Sequence, residues 1–132
     1  MESLRAVGMH YISHRKITRG VDAVMFDIDD TLIFTDGRVN APMLDLLFRA
    51  QSLGYLIVII TARPRYQSVI DHTQEELLRL GIRWDSLAFS DAADKWRVKL
   101  DLGHRFVLSV GDMPTDLTAS EHFLDLGNLT HG

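Results

Sequence analysis

The feature that most constrains this chain is an unbroken apolar run over residues 55–60, which reads Tyr-Leu-Ile-Val-Ile-Ile. Apolar and polar residues do not alternate within it, so it predicts a strand that is buried on both faces. Strands of this kind are typical of a parallel sheet that helices cover on both sides. The run is far too short to span a bilayer, and we therefore expect no membrane partner.

Strand and helix patterns alternate along the rest of the sequence. Asn40 and Pro42 predict the start of one helix, and Gly54, Gly81 and Gly103 each predict the end of one. The predicted strands cover residues 21–27, 55–60, 87–89 and 105–110, and the predicted helices cover residues 41–53, 66–80, 92–102 and 116–126. Residues 127–132 then have room for only a minimal edge strand. This alternation predicts an α/β fold, a three-layer, Rossmann-like, doubly wound parallel sheet.

The length of 132 residues fits one domain. We expect it to cover residues 21–132, after an N-terminal basic lead-in segment over residues 1–20. That segment has four basic residues against one acidic residue: Arg5, Arg15, Lys16 and Arg19 against Glu2. Two interpretations of it stay open, a solvated lead-in helix or frayed terminus, and a basic arm that meets a phosphate-rich partner.

Charge and cysteine content exclude several classes of function. The net charge of −4 argues against a general nucleic-acid clamp. The absence of cysteine excludes disulfides, thiolate nucleophiles and cysteine-ligated zinc. Because the first residues also lack the layout of a signal peptide, we expect a cytoplasmic protein.

Polar side chains follow three of the predicted strands, at the point where each strand ends. These pairs are Asp27 with Asp29, Thr61 with Arg63, and Asp112 with Asp116. The carboxyl ends of parallel strands meet at one edge of a sheet, and ligands bind there in folds of this class. The three clusters are therefore expected to form one site.

Several carboxylates at one edge suit a hard cation with oxygen ligands, and Mg²⁺ is the natural candidate. One carboxylate can then attack phosphorus and form an aspartyl-phosphate. A second carboxylate, two residues further on, can protonate the leaving oxygen and later deprotonate water. Thr61 offers a hydroxyl, and Lys95 a positive charge, to the phosphoryl oxygens.

Four segments, in order, resemble the motifs of the haloacid dehalogenase-like superfamily. Residues 27–31, Asp-Ile-Asp-Asp-Thr, resemble its first motif, DxDxT, and residues 61–63, Thr-Ala-Arg, look like the second. Lys95, near the start of the predicted helix over residues 92–102, resembles the third motif, and residues 111–116 look like the fourth. The resemblance covers about residues 21–126. Its local pattern is most similar to class B/C acid phosphatase or polynucleotide-phosphatase-like members.

The resemblance implies a role for each of these residues. Asp27 would be the nucleophile and a Mg²⁺ ligand, and Asp29 the general acid/base and a ligand through its backbone carbonyl. Asp112 would be the third protein ligand, and Asp116 would orient it or a metal-bound water. Thr61 and Lys95 would hold the phosphoryl group. An aspartate at the position of Asp29 is typical of the family's phosphatases.

Some positions keep two interpretations. Lys99 competes with Lys95 for the third motif, and we prefer Lys95 because it lies in the first turn after a strand. Arg63 or Arg65 could contact substrate, or both could be solvated loop residues. Asp30 is interpreted as structural, and Thr31 is expected to shape the following turn by hydrogen bonding.

The sequence leaves no room for a cap domain over the site. Asp36-Gly37 between β-prone residues predicts a β-hairpin flap after the first strand, and residues 33–40 hold no more than that. Residues 64–94 are likewise used up by a helix and a short strand. A capless site implies a macromolecular substrate that covers it, such as a nucleic-acid end or phosphoprotein, or a homo-oligomer whose second subunit supplies the lid.

We therefore hypothesise a Mg-dependent phosphomonoester hydrolase that acts through an aspartyl-phosphate on Asp27, with Asp29 as general acid/base. The alternative is a catalytically weak phosphate-binding or regulatory interaction module of the same fold. Nothing in the sequence recognises a base, a sugar or a peptide, so it does not identify the substrate.

Overall fold

The computed structural model describes residues 1–127 of the chain. Five strands and four helices alternate along most of it, with two short 3₁₀ turns near the site. In chain order they are α1 (Glu2–Ser13), β1 (Asp22–Phe26), α2 (Ala41–Leu53), β2 (Leu56–Thr61), α3 (Gln67–Arg79), β3 (Ser86–Phe89), a 3₁₀ turn (Ala92–Asp94), α4 (Lys95–Leu102), β4 (Arg105–Gly111), a second 3₁₀ turn (Pro114–Asp116) and β5 (His122–Asp125).

The strands form one parallel sheet in the order β3-β2-β1-β4-β5. The predicted three-layer, Rossmann-like α/β fold is confirmed. β1 lies at the centre, with β2 on one side and β4 on the other, so the chain changes direction across the sheet at β1. Crevices at such a position, outside the carboxyl ends of the strands, are where ligands bind in this class of fold.

Alternate residues of the central strands bury two separate apolar cores, one on each face of the sheet. On the larger core, Val24, Phe26, Ile57 and Ile59 pack with side chains from α1, α2 and α3: Ile12, Met43, Leu46, Leu47, Ala50 and Leu77. The smaller core lies on the opposite face of the sheet. There, Val98 and Leu102 of α4 pack against side chains of the strands: Ala23, Met25, Val58, Ile60 and Phe106. Because the strands are buried on both faces, the unbroken apolar run is explained.

Helix α2 begins and ends where the capping residues predict. The Asn40 side chain accepts a hydrogen bond from the Met43 amide at 3.5 Å, and proline stands in the first turn. Gly54 ends the helix in the left-handed conformation, with φ at 105°. The residues at its two ends are therefore sufficient to predict where this helix begins and ends.

The predicted flap is present, but it is a tight loop with a single antiparallel bridge between Ile33 and Val39 rather than a hairpin of two regular strands. The Phe34 amide donates to the Arg38 carbonyl at 2.8 Å, and the Gly37 amide donates back to Phe34. No cap domain is inserted in the sequence between residues 1 and 127. The carboxyl edge of the sheet beside the flap is therefore open to solvent.

The prediction of a final helix over residues 116–126 is wrong. Residues 114–116 form one 3₁₀ turn, Ala119 takes a left-handed φ of 52°, and the chain continues as strand β5, parallel to β4. The edge of β4 offers unpaired backbone groups, and their pairing with β5 outweighs the weak helical spacing of the segment. The edge strand expected over residues 127–132 falls largely on residues 128–132, which lie outside the described residues.

Helix α1 packs on the fold instead of standing in solvent. Ile12 is fully buried in the larger core, and Tyr55 donates a hydrogen bond from its hydroxyl to the Ile12 carbonyl at 2.8 Å. Gly8 lies against Leu46 of α2 and Leu124 of β5, where a side chain would collide with both. Glycine disfavours the interior of a helix, but at this position it permits the close approach of α1 to α2 and β5. None of the helices within residues 1–127 has the length and apolar character needed to cross a bilayer.

Candidate active site

The carboxyl ends of β1, β2 and β4 enclose an open cavity of about 360 Å³. The three polar clusters that follow these strands do meet there. The lining residues are Asp27, Asp29, Asp30, Ala62, Arg63, Pro64, Ala92, Lys95, Asp112, Met113, Thr115 and Asp116. Thr61 is fully buried at the end of β2 and does not line the cavity; its hydroxyl accepts a hydrogen bond from the Arg63 amide at 3.2 Å.

A buried lysine joins the first cluster to the last. The Lys95 Nζ donates to Asp27 Oδ1 at 3.1 Å and to Asp116 Oδ1 at 2.6 Å. All three side chains are at most 10% exposed. Lys95 begins α4, directly after the 3₁₀ turn that follows β3, so the first turn of that helix delivers its ammonium group to the catalytic edge.

Asp27, Asp112 and Asp116 form a compact acidic group, with one carboxylate oxygen of each lying within 4.8 Å of the others. Oxygen ligands at this spacing suit a hard divalent cation such as Mg²⁺. The Asp29 side chain is not part of this group. It points to Arg63 instead, so only its backbone carbonyl is available for the ligand role that the resemblance implies.

The surroundings of Asp27 disfavour its ionised form. Burial raises the pKa of Asp27 to about 8, because the effect of desolvation and of Asp116 exceeds the opposing effect of the Lys95 ammonium. Burial works against the charged form of Lys95 as well, yet the Asp27 and Asp116 carboxylates raise its pKa above the ordinary value. A further positive charge beside Asp27 would hold it ionised at neutral pH, and a bound divalent cation supplies one. The residues therefore fit a Mg²⁺ ion.

The glycine before Asp112 is required by the packing of the last cluster. A Cβ on Gly111 would overlap the Asp116 side chain, so only glycine lets this carboxylate turn back toward the strand. Asp116 Oδ2 also accepts from the Met113 amide at 3.1 Å, which closes the turn between them. The spacing of the Gly-Asp-x-x-x-Asp motif thus has a steric cause.

The structure separates the two lysines that compete for the third motif. Lys95 contacts the carboxylates, whereas Lys99 lies one turn below and donates to the backbone carbonyls of Asp116 and Thr118 at 2.7 and 2.6 Å. Both lysines are the buried residues of α4, while Trp96 and Leu100 are 42% and 62% exposed. The helix turns its charged side inward because the acidic cluster and free carbonyls need donors there.

Arg63 is held at the edge of the cavity by two elements. Its Nε and Nη2 donate to the two carboxylate oxygens of Asp29 at 3.0 and 2.8 Å. Its Nη1 donates to Thr73 Oγ1 at 3.0 Å and Glu76 Oε1 at 2.8 Å, both on α3. The hydrogen bonds that Arg63 donates to Asp29 and Glu76 raise its pKa above the already high ordinary value. Arg65, on the same loop, is exposed.

The two remaining residues of the first motif have structural surroundings. Asp30 takes a left-handed φ of 57°, and its carboxylate accepts from the amide and hydroxyl of Thr35 in the flap at 3.1 and 2.7 Å. Thr31 does shape the turn by hydrogen bonding, but not through its hydroxyl, which has no hydrogen-bond partner within the described residues. The turn is fixed instead by the Thr31 carbonyl, which accepts from the Asn40 side chain at 2.9 Å.

Sequence reasoning missed the contributions of Thr73, Glu76 and Thr115. Thr73 and Glu76 are three residues apart on α3 and share a helix face, a spacing that was visible, but nothing in the sequence indicated that Arg63 lies against them. Thr115 lines the cavity, and in the described part of the chain its buried hydroxyl lacks a hydrogen-bond partner. Its position directly before Asp116 was the available signal.

The family model of haloacid dehalogenase-like hydrolases matches residues 24–79. The matched segment begins in β1 and ends in α3, so it includes the first two motifs and stops before Lys95. No curated protein matches the sequence. Together with the observed fold, the match confirms the resemblance to the haloacid dehalogenase-like superfamily. The closer likeness to one of its phosphatase branches stays a prediction.

Two similar solved structures are a chain of the Pnkp1/Rnl/Hen1 complex and a chain of the Pnkp1/Rnl/Hen1 RNA repair complex. Both have a TM-score of 0.58 and 20% sequence identity, over 79% and 78% of this chain. This chain spans only 44% and 40% of the length of those chains. At that identity the likeness concerns the fold alone.

Proposed function

We propose that this haloacid dehalogenase-like protein is a Mg-dependent phosphomonoester hydrolase that acts through an aspartyl-phosphate on Asp27. The observation that carries the proposal is the buried group of Asp27, Lys95, Asp112 and Asp116 at the carboxyl edge of the sheet. A core has no use for three carboxylates packed together, because burying them costs free energy unless a cation compensates. Phosphoryl transfer does require such a site.

In the first half-reaction, a carboxylate oxygen of Asp27 attacks phosphorus and the bond from phosphorus to the leaving oxygen breaks. Asp29 gives its proton to that leaving oxygen, so the alcohol departs neutral. The Lys95 ammonium holds Asp27 in place, and beside the attacking oxygen it would offset the charge that develops on the phosphoryl oxygens. The resemblance also implies a hydrogen bond from Thr61 to the same oxygens, which requires its hydroxyl, buried outside the cavity lining in the structure, to turn toward the cavity.

In the second half-reaction, water attacks the phosphorus of the aspartyl-phosphate. Asp29, now a carboxylate, takes a proton from that water, and the bond from the Asp27 oxygen to phosphorus breaks. Inorganic phosphate leaves, and both aspartates return to their starting forms. One residue can serve both steps because the proton that it gives in the first is replaced in the second.

Mg²⁺ would be held by Asp27, Asp112 and Asp116, with the backbone carbonyl of Asp29 as a further ligand. When bound, it supplies positive charge that keeps the carboxylates ionised and offsets the charge of the phosphoryl group. The raised pKa of Asp27 without a cation supports this requirement.

The open site supports a macromolecular substrate. A short flap and a cavity of about 360 Å³ can exclude little water from a small substrate, whereas a large one would cover the opening itself. We favour a phosphorylated nucleic-acid end, since one of the similar solved structures is an RNA repair complex. A phosphoprotein, or a second copy of this chain that closes the site, are the alternatives that a substrate screen would reveal.

Turnover of p-nitrophenyl phosphate tests the reaction itself, independently of the natural substrate. We expect phosphate release with Mg²⁺ and none with EDTA or in Asp27→Asn, while the exposed Asp101→Asn variant serves as a matched control. A parallel screen of oligonucleotides with 3′- or 5′-phosphates against phosphopeptides identifies the substrate class. Activity that survives both EDTA and Asp27→Asn contradicts the proposal.

A further inference from the structure

Arg63 uses four of its five N–H donors on protein groups, two on Asp29 and two on α3. Its side chain is only 15% exposed, although it lies at the rim of an open cavity. An arginine that is to bind the phosphoryl group of a substrate would instead present its planar fork to the cavity. The saturation of its donors argues that Arg63 acts on another protein residue.

The contact with Asp29 has a defined geometry. Two parallel N–H donors meet the two carboxylate oxygens, which fixes both the direction and the plane of that carboxylate. The Asp29 side chain is otherwise 58% exposed, so little else restrains it. A residue that must transfer a proton at one defined atom needs such a restraint, since misplacement by about 1 Å can cost roughly 100-fold in rate.

Arg63 is in turn held by the two hydrogen bonds that it donates to α3. Thr73 is fully buried on α3 and Glu76 is largely buried one turn further along, and both accept from the same Nη1 atom. A continuous chain of contacts therefore runs from the packed face of α3, through Arg63, to the exposed carboxylate of Asp29.

We propose that Arg63 is a positioning residue that holds Asp29, through a paired contact anchored by Thr73 and Glu76, as the proton acceptor of the second half-reaction. The carboxylate that accepts two N–H donors is the form of Asp29 left after it has given its proton to the leaving group. Arg63 presents that form to the water that attacks the aspartyl-phosphate. This inference rests on the proposed function, and it adds a positioning residue to the second half-reaction.

The test compares the two half-reactions in Arg63→Gln with p-nitrophenyl phosphate as substrate. Its leaving group departs readily, so formation of phospho-Asp27 depends little on a general acid, whereas hydrolysis still needs the base. We expect kcat to fall by roughly 10-fold or more and KM to fall in the same proportion, so that kcat/KM, which reports formation of the phosphoenzyme, is little changed. The fraction of protein trapped as the phosphoenzyme at steady state is expected to rise, a change that general structural damage would not produce.

Three further variants sharpen the result. Glu76→Gln keeps Arg63 and weakens one of its hydrogen bonds to α3. The fall in kcat and the rise in the phosphoenzyme fraction are therefore expected to be smaller than in Arg63→Gln. In a double variant with Asp29→Asn, Arg63→Gln should add almost no further loss, because both act through one carboxylate. Arg79→Gln, an exposed arginine at the end of the same helix, is the control and should behave as the unmodified protein.

A raised KM with an unchanged phosphoenzyme fraction would mean that Arg63 binds substrate, and it overturns the inference. Additive losses in the double variant overturn it too. Failure of the proposed function is seen separately, as no turnover by the unmodified protein. In that case ¹⁵N NMR of the Arg63 guanidinium decides the pairing. Slow rotation that is lost in Asp29→Asn supports the restraint, and a signal that Asp29→Asn does not change overturns it.

Discussion

Asp29 and Asp30 are adjacent aspartates of the same turn, yet their carboxylates face different partners. The Asp29 carboxylate is exposed beside the cavity and bound by Arg63, whereas the Asp30 carboxylate accepts two hydrogen bonds from Thr35 and holds the flap. The backbone assigns these directions, because Asp30 takes a left-handed φ that aspartate tolerates better than most residues. Side-chain direction, and not residue type, separates the proposed catalytic role of Asp29 from the structural role of Asp30.

We predict that Asp29→Asn lowers kcat by about 100-fold or more, the usual size of a general acid/base contribution. Asp30→Asn is the matched isosteric control, since asparagine keeps both the left-handed backbone and an oxygen that accepts from Thr35. It should retain turnover. Steady-state kinetics of the two variants provide the measurement, and equal losses in both would contradict the separation of roles.

At this scale the sequence could predict which residues meet, since strand ends of a parallel sheet share one edge. It could not predict side-chain pairing. The Arg63 contacts depend on how α3 lies against the loop after β2, which involves residues ten and thirteen positions further on. The partners of Lys99 were equally hidden, because two of its acceptors are backbone carbonyls, which every residue type carries, and the third is the hydroxyl of Ser109 on β4.

Among the elements, α1 depends on a glycine for its contact with the rest of the fold. A Cβ at Gly8 would lie 2.7 Å from the Leu46 Cδ2 atom and 2.9 Å from the Leu124 Cδ1 atom. We predict that Gly8→Val destabilises the protein by about 1–3 kcal/mol, the usual cost of overpacking a core. Ala6→Val, at an exposed position of α1, controls for helix propensity. Denaturant unfolding measures both, and equal midpoints would contradict the account.

An ion pair between Asp22 and Arg105 joins the start of β1 to the start of β4. The buried Asp22 carboxylate accepts from Arg105 Nε and from the Thr18 amide. The Arg105 hydrogen bond, more than the opposing desolvation, lowers the pKa of Asp22. A lowered pKa in the folded state means that the pair stabilises the fold above the ordinary aspartate pKa of about 4 and loses this effect as the pH falls through the lowered value.

Asp22→Asn is therefore expected to cost about 1–2 kcal/mol at pH 7 and progressively less below about pH 4. Denaturant unfolding at several pH values measures the difference between variant and unmodified protein. Asp101→Asn, at an exposed position of α4, is the control and should show no such pH-dependent difference. A stability gap for Asp22→Asn that grows toward acid would contradict the assignment.

Elements were predictable where local chemistry defines their ends, as with Asn40 and Gly54 around α2. The failure over residues 116–126 has the opposite cause. Phe123 and Leu124 fit a helix as well as a strand, and the choice between them depends on β4, whose free edge pairs with the segment. Pairing with a distant strand leaves no local pattern in so short a stretch.

For the whole molecule, the cation is expected to act on stability as well as on catalysis. A ligand that binds only the folded state stabilises it, by about 2.7 kcal/mol at 100 times its dissociation constant. We predict that Mg²⁺ at that ratio raises the midpoint of thermal unfolding by on the order of 10 °C for a chain of this length. Asp112→Asn should abolish the shift, and Asp101→Asn should keep it. An unchanged midpoint in the unmodified protein would contradict the metal site.

The overall fold was the most predictable level, because strands buried on both faces and alternating with helices permit few architectures. The capless character also followed from residue counts, since the segments after β1 and β2 are too short for a further domain. Substrate choice did not follow, because an open cavity with a short flap contacts little of a substrate beyond its phosphoryl group. The site therefore indicates a reaction more clearly than a substrate.

The central claim is that phosphate passes through a covalent bond to Asp27, and chemical trapping tests it most directly. The protein is mixed with p-nitrophenyl phosphate and Mg²⁺, quenched during turnover and treated with borohydride, which reduces an acyl phosphate to the alcohol. Mass spectrometry of the peptides should then show conversion at Asp27 alone, with none in EDTA or in Asp27→Asn. Steady turnover without any modification at Asp27, or with trapping at another residue, would contradict the account.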